Sequence, residues 1–421
     1  MIKLPMPLTR SCWKALLALA PGLLALAPAR AQAPLTSDLA LWTDAAHPAV
    51  HPPTTACDDA GVCAAFWPVS LDAQNAQIDL MGSVVSPSGV TAPAVLRSGG
   101  FIGQPIAVGL QHGFAVFYDE INMPSGTISA TVLQLLGEDL ISTRPPILLP
   151  ALAGRGIAYT GTSSVARTQD GFALLGQSAP GRGIYDYVSL AFVDMDGRLL
   201  RRPVQLSPPS LNNGLGLAVQ PDGNLVAVYS SLTHPSRSDC SQVFVRRIAS
   251  SGRLLGPAVA VANTFCFQVS PTVGVAADGT FLVAWMSRSV DFDTVLAIFA
   301  EPFSAQVRPL GKLLQVSQIG AILGPVLSVA PTGHYFVVWQ GFGPSGDAAN
   351  IKGRWLEADG TPITPELTLN EAQADLNQIL PQVAAAINSL AVVTWQISVP
   401  PIYSDPSYTI ASVARLFTTP P

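Results

Sequence analysis

The sequence predicts an all-β protein, a seven-bladed β-propeller of four-stranded antiparallel blades, from three observations. A segment that places a proline 14 residues before a tryptophan recurs along the chain. Helical periodicity is nearly absent, whereas short apolar runs alternate with turn residues throughout. Hydrophobic residues make up 49% of the chain and charged residues only 12%, as expected for strands that are buried on both faces.

The repeat is clearest in four pairs of residues. They are Pro53 and Trp67, Pro271 and Trp285, Pro325 and Trp339, and Pro381 and Trp395. Three weaker copies place Tyr118, Gly176 and Tyr229 at the tryptophan position. Successive copies of this position are 51 to 58 residues apart, and such a period indicates an array of one supersecondary unit.

Each unit predicts four strands. A first β-rich run ends at a turn such as Asp278-Gly279, and a nearly continuous apolar run such as FLVAW follows it. A polar loop then leads to a third strand, and a second turn leads to a last strand of the type TPITPELTLN. Four antiparallel strands make one propeller blade, and a closed ring of blades leaves only short sheet edges.

The predicted domain, residues 32–421, is a single propeller whose last unit has three strands of its own. Segment 33–45 matches the fourth-strand segment 361–372, so we expect it to complete the last blade and to close the ring. The predicted blades are residues 52–98, 104–150, 156–208, 214–262, 270–318, 324–372, and 380–417 together with 33–45.

These repeats resemble those of bacterial secreted propellers, in which a DG.FVVVW hairpin is followed by a third strand and a G.PLG turn. The match covers most of residues 32–421, through Asp278-Gly279 with Trp285, Gly256-Pro257 and the segment GTPITPELTLN. The resemblance implies a fold and no particular activity, so it assigns no functional residues.

Residues 1–31 have the pattern of a secretory signal peptide. A cationic start precedes the apolar run 15–27, and a small-residue ARA site ends at Ala31. An uncleaved membrane anchor is the alternative, but the run is short and Pro21 and Gly22 interrupt it. We therefore expect an exported chain, periplasmic, cell-surface or secreted, that keeps no membrane span after cleavage.

The charge balance restricts the partners. The formal net charge is −5, and removal of residues 1–31 takes away four cations and no carboxylate. Nucleic acids and anionic lipids need a basic surface, so an acidic chain of this kind is a poor match for either. We expect a monomer that needs no cofactor or metal and binds a protein or a glycan.

Four cysteines follow the signal segment: Cys57, Cys63, Cys240 and Cys266. An even count in an exported chain suggests two disulfides, and four cysteines allow three connectivities. We prefer Cys57 with Cys63, which flank one hairpin turn, and Cys240 with Cys266, which the blade geometry brings to one face. Their spacing does not resemble a zinc site.

Blade geometry sorts the loops onto two faces. Connections between strands two and three, and from strand four to the next blade, emerge on one face, which we call the link face. Hairpin turns such as Asp278-Gly279 emerge on the other, the hairpin face. Carboxylates gather on predicted loops of the link face, namely Asp119, Glu120, Asp291, Asp293, Asp347 and Asp405. The simpler interpretation is that they are charged loop residues in contact with water. The alternative is that they form an acidic mouth of the central channel that holds a sugar or peptide.

Two other sets of residues have a structural and a functional interpretation. The repeated aromatics suit packing between neighbouring blades better than a ligand-stacking ring. His47, His51 and His234 would form a metal site only if they converged, although their units lie across the ring. A Ser-His-Asp catalytic triad has no required spacing in the sequence, so it stays a possible third interpretation.

The leading hypothesis is an exported, non-catalytic binding or scaffold propeller that presents a polar loop face to a protein or glycan. Asp119, Glu120, Asp291 and Asp293 are its candidate binding residues. The alternative is an extracytoplasmic carbohydrate-active hydrolase or lyase with its site at the channel mouth, where an acid pair would do the chemistry.

Overall fold

A computed structural model describes the greater part of the chain. The described residues are 34–44, 46–71, 77–122, 127–149, 158–179, 187–208, 210, 212–232, 240–262, 267–288, 297–342, 348–371, 376–399 and 409–420. The predicted signal peptide lies outside these ranges, as do His234, Cys266, Asp291, Asp293, Asp347 and Asp405. Within them, no helix is long and apolar enough to cross a membrane.

All the regular elements of the described ranges are β-strands. The chain begins with β1 (Leu39–Trp42). The next two sheets hold β2 (Thr54–Cys57), β3 (Cys63–Ser70), β4 (Ile78–Ser86), β5 (Gly89–Val90) and β6 (Ala94–Arg97), then β7 (Phe101–Ile102), β8 (Ile106–Gly109), β9 (Phe114–Asn122), β10 (Thr127–Leu136) and β11 (Ile147–Leu148). The third sheet holds β12 (Ala158–Thr168), β13 (Gly171–Ala179), β14 (Tyr187–Val193) and β15 (Leu199–Gln205).

The second half of the chain continues the pattern. One sheet holds β16 (Asn212–Val219), β17 (Leu225–Leu232), β18 (Ser241–Ile248), β19 (Val259–Ala260), β20 (Phe267–Val275), β21 (Phe281–Arg288), β22 (Ala297–Phe303) and β23 (Leu314–Gln315). The next holds β24 (Ala321–Val329), β25 (Tyr335–Phe342), β26 (Ala349–Leu356) and β27 (Leu367–Thr368). The last holds β28 (Asn377–Ala385), β29 (Leu390–Ser398) and β30 (Thr409–Thr418), with β1 at its edge.

The number of hydrogen-bonded sheets differs from the prediction of seven. The described strands form six sheets, because the strands of predicted blades four and five share one eight-stranded sheet. A single parallel bridge between Ser241 and Phe267 joins the two halves. The outer strand β19 pairs only with Phe244 and Val245, so the edge of β18 at Ser241 is left open to β20.

The N-terminal strand lies in the last sheet. Leu39 pairs with Ala414 and Ala40 with Val413 in antiparallel register, and Pro34 forms a further bridge with Phe417. Arg415 holds this segment from the side: its Nε donates to the Thr36 carbonyl at 2.9 Å. Segment 33–45 therefore contributes a strand of four residues, Leu39–Trp42, in place of a longer one.

The core is divided into clusters that lie between successive repeats. One cluster joins Trp67 and Ala65 of the first sheet to Leu416 and Val392 of the last. Another joins Trp285 and Phe299 to residues of the preceding half-sheet. The six repeated aromatics, Trp67, Tyr118, Tyr229, Trp285, Trp339 and Trp395, are at most 2% exposed. They pack inside the protein and do not form an open stacking ring.

A second set of repeated contacts ties five of the repeats to the repeat before them. A long polar side chain in the third strand of a repeat bonds to the backbone of the preceding outer strand. The pairs are Gln134 with Leu96, Arg246 with Leu206, Glu301 with Ala262, Arg354 with Val316, and Arg415 with Leu369, at 2.8 to 3.0 Å. We call these five contacts the inter-sheet latches.

The predicted Cys57–Cys63 disulfide is confirmed. It crosses the hairpin turn between β2 and β3, where the two residues are directly paired. Cys240 is also disulfide-bonded, while its predicted partner Cys266 lies outside the described residues.

Candidate functional site

The central cavity has a volume of about 750 Å³ and is lined by the first strands of the repeats. Its lining comes from β2, β8, β12, β16, β20, β24 and β28, with Gln177 from a second strand. Serine, threonine and glutamine supply its polar groups, and no charged side chain lines it among the described residues. The described part of the channel therefore does not form the acidic mouth that the sequence suggested.

The recurring proline has a structural role at this channel. The first strands shift register around it, as between Val269 and Thr272 and between Ile379 and Gln382. Ser270 and Leu380, which precede the prolines, adopt left-handed φ values of 51° and 55°. A Cβ on Gly214 would lie 2.7 Å from the Ser270 Cα, so neighbouring backbones touch here. Each bulge thus brings the first strands together around the axis.

The structure corrects the placement of Asp119 and Glu120, which lie in strand β9 and not in a loop. The β9–β10 hairpin continues beyond Tyr118, with Thr131 opposite Asp119 and Ala130 opposite Glu120. The Asp119 carboxylate accepts a bond from the Thr131 hydroxyl at 2.6 Å, and Glu120 pairs with Arg97 at 3.1 Å. Adjacent strand residues point to opposite faces, so these two carboxylates do not face each other.

The Tyr118 hydroxyl lies beside this pair. It is buried and has no hydrogen-bond partner among the described residues. Burial raises the pKa of Tyr118 to about 12, while the Arg97 cation opposes that rise and Glu120 adds to it. The phenol is therefore neutral at physiological pH and does not act as a base.

The histidines do not converge in the described part of the chain. His47 bonds to Asp44 at 2.8 Å on the surface. Burial lowers the pKa of His51. No cluster of three potential metal-ligating side chains occurs in the described ranges. The third candidate, His234, lies outside them.

A side pocket of about 390 Å³ lies between the segment that links β23 to β24 and the β24–β27 sheet, on the link face. We call it the Lys352 pocket. Its lining includes Ile319, Gly320, Trp339, Phe342, Lys352 and Glu366. Phe342 and Ile319 form an apolar rim, with exposures of 41% and 64%.

The charged pair of this pocket is held by the strands beneath it. The Lys352 Nζ donates to the Thr368 hydroxyl at 2.8 Å and lies 4.0 Å from the Glu366 Oε1. The other Glu366 oxygen accepts the Gln318 backbone N–H at 2.9 Å. The Lys352 and Glu366 side chains are 12% and 19% exposed, so both charges are largely withdrawn from water.

The repeats show that a lysine is unusual at this position. Lys352 lies directly across the strand pair from Trp339. The equivalent partners of the other repeated aromatics are Met81, Val132, Phe244, Phe299 and Val413. All five are apolar, and in the third repeat Ser189 faces Gly176. Aligning the third strands of the repeats on their aromatic partners would have revealed this exception in the sequence.

A third concavity, of about 790 Å³, lies on the hairpin face between the second and third sheets. His112 and Arg167 contribute to its wall. Both already have acidic partners, since His112 bonds to Glu138 at 2.8 Å and Arg167 to Asp59 at 2.8 Å. This groove is wide and solvated, and its charges are mutually satisfied.

Comparisons with known proteins address the fold. No protein-family model and no curated protein sequence matches the chain. A protein of unknown function from Dyadobacter fermentans DSM 18053 is similar in structure, with a TM-score of 0.51 and 12% identity over 91% of this chain and 98% of the other.

Two enzymes are also similar in structure. A puromycin hydrolase has a TM-score of 0.50 and 14% identity over 82% of this chain, which spans 51% of that enzyme. The GH93 α-L-arabinofuranosidase of Fusarium graminearum has a TM-score of 0.48 and 11% identity, over 91% of this chain and 98% of the enzyme. Likeness at such low identity concerns the fold alone. Together with the strand order, the likeness to the Dyadobacter protein and to the puromycin hydrolase shows that the chain is an all-β propeller.

Proposed function

We propose that the chain is an exported, monomeric, non-catalytic β-propeller that binds a glycan or protein partner on its link face. The Lys352 pocket is the observation that carries this proposal. It combines a few fixed polar groups with an apolar rim, and its volume of about 390 Å³ is in the range of ligand sites. The Cys57–Cys63 disulfide supports an oxidising compartment.

We also propose that the binding face is built on a closed ring of seven blades. The first strands contact one another in the order β2, β8, β12, β16, β20, β24 and β28, and β28 contacts β2. The eight-stranded sheet counts as two blades, because one bridge alone joins its halves. The Gln396 amide of the last sheet donates to the His51 carbonyl at 2.9 Å, which supports closure. A closed ring would hold the link face rigid.

The arrangement of Asp119 and Glu120 favours binding over glycoside hydrolysis at these two residues. A glycosidase needs two carboxyl groups on either side of the scissile bond, about 5 to 9.5 Å apart. Asp119 and Glu120 point to opposite faces and are engaged by Thr131 and Arg97. Asp291 and Asp293 stay candidate binding residues that lie outside the described ranges.

A glycan array combined with a turnover assay tests this function. We expect residues 32–421 to bind array glycans and to release no sugar from them. Release of sugar that is lost in Asp119→Asn or Glu120→Gln, with the fold intact, would overturn the proposal in favour of the hydrolase.

A further inference from the structure

We infer that the Lys352 pocket binds one neutral pyranose unit of a glycan, held by hydrogen bonds to Lys352 and Glu366 and by packing on Phe342. This inference rests on the proposed function and names its ligand class and its site. Four features of the pocket lead to it: the position of the lysine, its unused donors, the charge balance and the apolar rim.

The lysine occupies a position that five of the other six repeats fill with apolar side chains. Burying an ammonium group is costly unless it is paired, and the pair that Lys352 makes with Glu366 is long, at 4.0 Å. A methionine, as at Met81, fills the same position in the first repeat. A polar residue that breaks the packing rule of its repeat is expected at a functional or strained site.

The lysine has donors to spare. An ammonium group carries three N–H donors, and one of them is used by the Thr368 hydroxyl. The Glu366 Oε1 lies beyond hydrogen-bond distance from Nζ, so the described residues offer no second acceptor. A sugar hydroxyl between these groups can accept from Lys352 and donate to Glu366. Adjacent ring hydroxyls can bond to the two groups separately.

The charges of the pocket select a neutral ligand. Lys352 and Glu366 balance each other inside one small cavity. A carboxylate or phosphate ligand would meet the Glu366 anion, and a cationic ligand would meet the Lys352 ammonium. A neutral polyol uses both groups without bringing a third charge into a poorly hydrated site.

The rim of the pocket suits the other side of a sugar ring. Phe342 presents apolar surface at the mouth, and Ile319 extends that surface. A pyranose has C–H groups on its faces and hydroxyls at its edge, so it can pack on an aromatic ring while its hydroxyls bond below. The volume of about 390 Å³ is near the lower end for ligand pockets and suits a single sugar unit with water.

The test is saturation-transfer NMR and calorimetry on residues 32–421 with methyl glycosides of glucose, galactose and mannose. Glucuronic acid serves as the charged comparison. We expect at least one methyl glycoside to bind with a Kd on the order of 1 mM, the affinity typical of so small a ligand, and glucuronic acid to bind more weakly.

Three variants locate the site. Lys352→Met restores the apolar side chain of the other repeats, and Phe342→Ala removes the apolar rim. Both should weaken binding at least about tenfold, a loss of about 1.4 kcal/mol. Ile387→Ala removes a side chain that is 59% exposed at a turn of the hairpin face, and it should bind like the parent.

The outcomes separate this inference from the proposed function. If array glycans bind and the Lys352 and Phe342 variants bind them equally well, the site is wrong and the proposed function stands. If glucuronic acid binds more tightly than every neutral glycoside, the neutral-sugar inference is wrong. If the parent protein binds array glycans and none of the methyl glycosides, the single-unit inference is wrong. If it binds neither, the glycan part of the proposed function falls as well.

Discussion

The fifth repeat, β20–β23, and the sixth repeat, β24–β27, are built to one plan and differ at the position opposite the repeated tryptophan. In the fifth, Trp285 stacks on Phe299 across the strand pair with ring centroids 6.4 Å apart. In the sixth, Trp339 faces Lys352 at the same register. Both tryptophans are fully buried, at 0% and 1% exposure. The two repeats therefore keep the buried tryptophan and differ in its partner, which is an apolar ring in the fifth and a lysine beside a pocket in the sixth.

The same two repeats also differ in their latches. Arg354 donates to the Val316 and Thr364 carbonyls, whereas the Glu301 carboxylate accepts the Ala262 N–H. Side chains of opposite charge thus make the same structural contact at equivalent positions of the two repeats. What the latch requires is length and a hydrogen bond to the preceding outer strand, and either sign of charge meets that need.

The largest effect should come from the shared tryptophans. Trp285→Ala and Trp339→Ala should each lower the free energy of unfolding by about 3 to 5 kcal/mol, because each empties a filled core. Equilibrium denaturation measures both. A loss in one repeat that is more than twice the loss in the other would show that the two plans are not equivalent.

Exchanging the partner should be costly in the fifth repeat. In the fifth repeat, Leu313 occupies the position that Glu366 has in the sixth. The ammonium group of Phe299→Lys therefore finds no carboxylate there, and we expect the free energy of unfolding to fall by about 3 kcal/mol. Denaturant unfolding measures it, with Phe299→Met as the control for the lost ring. If Phe299→Lys were as stable as Phe299→Met, this position would accept a charged side chain in the fifth repeat as well as in the sixth.

Removing the latch should have an intermediate effect. Arg354→Met leaves the Val316 and Thr364 carbonyls without their donor, and a buried unsatisfied group costs about 1 to 3 kcal/mol. Thermal and denaturant unfolding measure the loss. The control is Arg198→Met, because Arg198 is 77% exposed and its ion pair with Asp196 should add less than about 1 kcal/mol. Equal effects of the two variants would contradict the latch.

The smallest effect concerns pH. Burial raises the pKa of Glu301, partly offset by the Ala262 N–H. A carboxyl group with a raised folded pKa binds its proton more tightly when folded, so its contribution to stability is full below the unfolded pKa and is lost as pH rises through the folded pKa. The free energy of unfolding of Glu301→Gln should therefore rise relative to that of the parent as pH increases above about 4.5, the usual pKa of a glutamate. Denaturant unfolding at a series of pH values measures this, and parallel curves of unfolding free energy against pH for the two proteins would contradict it.

Much of the fold could be predicted because its signals are local and repeated. The hairpin turns, the buried aromatics and the Cys57–Cys63 bridge each depend on residues a few positions apart. The N-terminal strand was found from its likeness to the segment before Leu369. The sequence does not predict that two half-sheets join through Ser241 and Phe267, because one hydrogen-bonded bridge at an open edge has no sequence pattern.

The site was harder to predict. The sequence predicts a loop at Asp119 and Glu120 because carboxylates follow an apolar run there, yet β9 continues to Asn122. The latches have no sequence pattern because their partners are backbone groups of another repeat. Lys352 stands out only when the third strands are aligned by their register against the repeated aromatic, and the structure supplies that register.

The most direct test of the central claim, that Lys352 serves binding and not the fold, is to measure unfolding and sugar binding on one preparation of Lys352→Met. The account predicts an unfolding free energy within about 1 kcal/mol of the parent or above it, since other repeats carry apolar residues there, together with at least a tenfold loss of methyl glycoside binding. Unchanged binding, or a loss of several kcal/mol in stability, would contradict it.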